Sequence, residues 1–205
     1  MNKKYYLTHI TTECNCNKIK QQNKFNISKH GFMSSQWLGD GIYFWSGNDE
    51  AAIELGKRMV HKKIGNVAQR IQSISLEIYI PIDKHINLDD KDDAKTFADF
   101  LRNGSLCSNG TELLEILKTY KSQDFLNKSE RRKLGYLFGT CVNLFQTVMQ
   151  NEKKISIDAV SYSFYSGKTC RELFSLEELC YRQFCIKNAS LVNDINVTNW
   201  DIEYI

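Results

Sequence analysis

The apolar positions of this 205-residue chain recur with two different periods. Residues 72–82 alternate, with Ile74, Leu76, Ile78 and Ile80 set against Ser73, Ser75, Glu77 and Tyr79. A period of two predicts a strand buried on one face. Residues 48–63 place Ala52, Leu55, Met59 and Val60 near one side of a helix. Asn48 is its expected cap, Asp49 and Glu50 stand in its first turn, and cationic residues load its second half up to Gly65. Residues 129–150 predict a longer helix, capped by Ser129, with Leu134, Leu137, Phe138, Cys141, Leu144, Phe145 and Val148 as its buried stripe. Two more helices are expected at 89–101 and 111–120. Shorter extended pieces are expected at 4–10, 42–45, 156–164, 181–187 and 191–197. The polar stretch 11–24 reads as either a short helix or a loop. Strands, then helices, then strands favour an α+β fold with an antiparallel or mixed sheet over regular βαβ alternation.

Composition narrows the class without naming a function. Apolar residues make up 42% and charged residues 25%, which is globular and excludes a disordered or collagen-like chain. The net charge of +3 does not argue for a dedicated nucleic-acid surface but permits a local one, and the Lys-rich stretches 57–63 and 128–133 read as solvated helix faces before contacts to an acidic acceptor such as RNA or DNA. The single proline, Pro81, speaks against a proline-rich linker, so one domain spanning 1–205 is expected. No run of about 18 apolar residues occurs, and the first residues do not read as an export signal. The expectation is a cytoplasmic chain with reduced thiols and no membrane partner. Cys14-Asn15-Cys16 and Cys180/Cys185 lack the matching second pair of a zinc site, so no metal is expected.

The most unusual segment is Trp37-Leu38-Gly39-Asp40-Gly41-Ile42-Tyr43-Phe44-Trp45. Read alone, it is either a buried hairpin edge or a platform on which a flat ring stacks. Its neighbours along the chain add to it. His9 stands two residues before Thr11 at the end of the first expected strand, Gly31-Phe32-Met33-Ser34-Ser35 follows, and Ala51-Ala52 opens the helix behind Trp45. This order resembles the poly-ADP-ribose-polymerase-like branch of the ADP-ribosyltransferases, the H-Y-E type. The resemblance covers residues 9–11, 31–52 and 182–188. Residues 84–150 match nothing in that pattern and read as a helical insertion.

The resemblance implies a split mixed or antiparallel sheet and cleavage of the nicotinamide–ribose bond of NAD. His9 would bond a ribose hydroxyl, Tyr43 would stack on nicotinamide, and backbone groups at Ile10 would hold its carboxamide. Thr11, Gly41 and Phe44 belong to the same implied NAD-binding set. The family usually has glycine where Ile10 stands, so that side chain must point away from the ligand. The family's glutamate falls at Gln183, within Tyr181-Arg182-Gln183-Phe184. An uncharged amide can accept from a ribose hydroxyl but cannot act as a base. Glu178 would lie about 16 Å away along a strand, so only a loop folding back could bring it or Glu177 in. The expected activity is mono-ADP-ribosyl transfer to a macromolecular acceptor, protein or nucleic acid. An intracellular toxin or defence effector with a neutralising partner protein fits such a chain. The alternatives are a catalytically degenerate NAD-binding or interaction module, or an NAD glycohydrolase.

Overall fold

A computed structural model describes residues 1–31, 36–46, 50–64, 70–103, 128–165, 180–193 and 201–204. The expected strands at 4–10 and 72–82 become β1 (Asn2–Thr12) and β3 (Ile71–Pro81), paired antiparallel from Asn2↔Pro81 to Thr12↔Ile71. The alternation of β3 holds: Ile74, Leu76, Ile78 and Ile80 are buried and Tyr79 is exposed. Its first three residues are buried on both faces, because helices cover both sides of the sheet there.

Between these strands run α1 (Glu13–Gln22), β2 (Ile42–Ser46) and α2 (Glu50–Ile64). The ambiguous stretch after β1 is therefore helical. Thr12 caps α1 by accepting from the Asn15 amide at 3.3 Å, and Asn23 ends it with φ 47°. The chain continues through β4 (His85–Asn87), α3 (Lys91–Asn103), α4 (Lys128–Glu152), β5 (Ala159–Tyr165), β6 (Cys180–Ile186), α5 (Ser190–Asn193) and β7 (Asp201–Tyr204). The sheet order is β4-β5-β6-β2-β1-β3-β7, with β4 and β5 parallel and every other pair antiparallel. The fold is thus α+β with a mixed sheet.

Three layers result. One face carries Leu7, Phe44, Ile74 and Phe184, covered by Cys16 and Ile19 of α1, by Phe25 and by Val192 of α5. On the other face α3 and α4 cover Val160, Tyr162 and Cys185, while α2 covers Ile10, Trp45 and Ile71. The ladder between β1 and β2 holds Leu7↔Ser46 and Thr8↔Trp45, and on the His9 side it stops there.

Three expectations need correction. Residues 85–87 are not the start of a helical insertion but a strand, tied to β5 by His85↔Ala159 through Asn87↔Ser161. Leu137 and Leu144 are exposed, at 52% and 37%, because α4 turns Leu134, Phe138, Cys141 and Phe145 toward α3 and the sheet. Residues 190–193 are helical rather than extended, since the Asn188 carboxamide oxygen accepts from both the amide and the hydroxyl of Ser190 and starts a turn. The expected helix at 111–120, the Asn48 cap, Gly65 and residues 194–197 lie outside the described residues. No described helix is long and apolar enough to cross a membrane.

Candidate active site

The turn between Trp37 and Gly41 is braced from three sides. Gly39 takes φ +78°, a left-handed conformation that suits glycine, and an added Cβ there would strike the Asn143 carboxamide of α4. Asn143 Oδ1 accepts from the Asp40 amide at 2.8 Å. From β2, the Tyr43 hydroxyl donates to the Gly39 carbonyl at 2.7 Å and accepts from the Leu38 amide at 3.0 Å. From the end of β6, Lys187 Nζ donates to the Leu38 and Asp40 carbonyls, both at 2.6 Å. Burial pushes the Tyr43 phenol well above its ordinary range and pulls the Lys187 ammonium down. Burial works against the Asp40 carboxylate, but the His30 amide, Lys29 and Asn143 outweigh it and hold its pKa below the ordinary value. The phenol of Tyr43 is therefore a structural clasp, and its ring packs against the cluster that α3 and α4 bury.

A cleft of about 590 Å³, its open mouth included, lies beside the end of the β1–β2 ladder. His9, Ile10, Tyr43, Trp45 and Gln183 line it from the strands, Gly56, Met59 and Val60 from α2, and Ser28 and Gln36 from the connecting chain. The His9 ring bridges the gap between strands, with Nδ1 2.8 Å from the Tyr43 carbonyl. A carbonyl only accepts, so Nδ1 carries a proton and donates it to this bond. Phe25 and Phe44 meet the imidazole edge-on at 5.3 and 5.6 Å and fix its plane. Gln183 stands beside Trp45 on β2 and Tyr162 on β5, and is 8% exposed. Gly56 lets α2 lie close, because a Cβ there would fall 2.7 Å from the Trp45 indole nitrogen and strike Ile10. Among the described lining residues there is no carboxylate, lysine or arginine.

The structure thus brings together four of the residues singled out in the sequence: His9, Ile10, Tyr43 and Gln183. The Ile10 side chain packs with Trp45 and Ile71 under α2. Thr11, Gly41 and Phe44 are not among the cleft-lining residues. Thr11 is buried opposite Gln72, Gly41 bridges to Ser28 through two backbone bonds, and Phe44 is wholly buried behind His9. These three support the cleft rather than face it. Ser28, Gln36 and Gly56 carried no signal in the sequence, and Met59 and Val60 only that of an apolar helix face; they reach the cleft because α2 and the chain before β2 fold against the strands. Glu177 and Glu178 lie outside the described residues. Among the described residues no group of three His, Cys, Asp or Glu side chains comes together to hold a metal ion.

No protein-family model matches the chain, and neither does any curated protein or solved structure.

Proposed function

We propose that the protein is a mono-ADP-ribosyltransferase of the poly-ADP-ribose-polymerase-like type. In this reading it cleaves NAD and passes ADP-ribose to a macromolecular acceptor. The observation that carries the reading is the convergence of His9, Tyr43 and Gln183. They come from three strands, were picked out by their order in the chain, and line one cleft. The end of the β1–β2 ladder also suits the split sheet that the resemblance implies.

Each residue has a role that its surroundings support. The Tyr43 ring is fixed by its clasped hydroxyl and, in this reading, would stack on the nicotinamide ring. The His9 ring, oriented by the bond from Nδ1 to the Tyr43 carbonyl, would bond a ribose hydroxyl. Gln183 accepts from a second ribose hydroxyl. The bond from the anomeric carbon to the nicotinamide nitrogen breaks, its electron pair leaves with neutral nicotinamide, and the acceptor's nucleophile bonds to the same carbon and loses a proton. Catalysis on these groups is mostly orientation of the sugar and the leaving ring. Gln183 cannot take the proton, so the acceptor must surrender it to solvent or to a group of its own.

The absence of a carboxylate from the described lining favours a second reading, an NAD-binding module without turnover. Labelled NAD incubated with the protein and a cell lysate, then split into protein and nucleic-acid fractions, separates the two. Transfer predicts label in one fraction, lost in His9→Ala and Tyr43→Ala variants that remain folded. Undiminished labelling by those variants sinks the proposal. Binding of NAD with no label in either fraction selects the silent module.

A further inference from the structure

Two buried side-chain oxygens among the described residues have no hydrogen-bond partner: Gln36 Oε1 and Gln72 Oε1. Gln36, unlike Gln72, is a lining residue of the cleft. A buried acceptor without a donor costs free energy, and in a binding cleft a ligand can supply what the protein withholds.

Gln36 is also held in place relative to Tyr43. Its carbonyl accepts from His30 Nδ1 at 2.8 Å. Two residues on, the Leu38 amide donates to the Tyr43 hydroxyl at 3.0 Å. On α4, a side chain at Gly139 would come 2.6 Å from the Gln36 carbonyl, so the helix lies directly against this backbone. The turn that clasps the Tyr43 phenol therefore also fixes where the Gln36 carboxamide can reach. Rotation about its last torsion exchanges oxygen for nitrogen at nearly the same position, so the group offers an acceptor and a donor side by side.

We propose that Gln36 reads the primary carboxamide of a flat ring held against Tyr43, and so sets a preference for a nicotinamide-type ligand over its carboxylic acid analogue. The inference rests on the reading of the cleft as an NAD site. A primary carboxamide satisfies both halves of the Gln36 amide at once, through two antiparallel N–H···O bonds. A carboxylate accepts from Nε2 but has no proton for Oε1, and its second oxygen would face that acceptor. No lysine or arginine among the described lining residues compensates the extra charge. Gln36 is a specificity residue here, one that touches the leaving group without taking part in bond cleavage.

The test is calorimetric titration of the full chain with NAD, its nicotinic acid counterpart, nicotinamide and nicotinic acid, for wild type, Gln36→Met and Gln36→Glu. Wild type should bind the amide forms more tightly than the acids. Gln36→Met should weaken the amide forms about ten- to a hundredfold, the worth of two neutral hydrogen bonds, and the acids by less, since they lose only the bond from Nε2, so that the preference narrows. Gln36→Glu keeps an acceptor and adds charge, so it should discriminate against the acids more strongly than wild type. The melting temperature of ligand-free Gln36→Met should not fall, because the oxygen removed had no partner. Unchanged discrimination in both variants overturns the role of Gln36 and leaves the NAD reading standing. A wild type that prefers the acids also overturns it. A wild type that binds neither NAD nor nicotinamide overturns the NAD reading and this inference together.

Discussion

Two histidines of this chain sit in opposite circumstances. His9 lines the cleft, with Nδ1 donating to the Tyr43 carbonyl. His85 is buried in β4, takes a bond at Nδ1 from the Tyr5 hydroxyl at 2.9 Å, and lies 2.9 Å through Nε2 from Ser161 Oγ. Those bonds suit a neutral ring: Tyr5 donates to one nitrogen and the other donates to Ser161, whose hydroxyl in turn donates to Asn87 Oδ1 at 3.3 Å. Burial, then the charges of Arg182 and Lys3, pull the His85 pKa from 6.5 down to about 4. Between those two values the unfolded chain binds a proton that the folded chain refuses. The contribution of His85 to stability is therefore complete above pH 6.5, falls as pH drops toward 4, and is fully lost below it, a loss on the order of 3 kcal/mol. Urea unfolding at pH 7 and pH 4.5 should show this loss in wild type, and a markedly smaller loss in His85→Gln. Equal losses would contradict the assignment.

At the scale of elements, the cleft exists because α2 comes close to β1 and β2 without filling the gap at the end of their ladder. Gly56 permits that approach. Gly56→Ala should raise intrinsic helix propensity by about 1 kcal/mol, yet crowd the Trp45 indole and Ile10. Overpacking of this kind costs about 1–3 kcal/mol. The variant should unfold at lower denaturant concentration and bind NAD more weakly than wild type; a stabilised variant with intact binding would refute this account of α2. The same element shows what a sequence can and cannot say. The long strand β3 and the helix α2 were readable, since each carries many residues of one period. The three-residue β4 was not, because its place is set by pairing with β5 some seventy residues away rather than by any local pattern. β7 was missed in the same way, as four residues added to the edge of β3. His9, Tyr43 and Gln183 were legible through their order in the chain. Gln36 and Met59 were not, since nothing local distinguishes a lining glutamine or methionine from a surface or core one. Thr11, Gly41 and Phe44 were named as ligand contacts, but their side chains and backbone are used by the sheet.

On the scale of the whole molecule, the three layers divide the work. α3 and α4 bury the β5–β6 half of the sheet and brace the Trp37–Gly41 turn through Asn143, while α2 covers the β1–β2 half. The cleft lies beside the end of the β1–β2 ladder. The small net charge of +3 has little part in this, since the described lining of the cleft holds no carboxylate, lysine or arginine. Recognition is expected to rest on stacking and hydrogen bonds, and so to weaken only slightly with added salt. The most direct test of the central claim is release of nicotinamide from NAD, quantified by chromatography, with the purified protein supplemented by lysate. The account predicts release by wild type and a loss of at least about 100-fold in a folded His9→Ala variant, an oriented transition-state contact having been removed. Equal release by wild type and His9→Ala would contradict it.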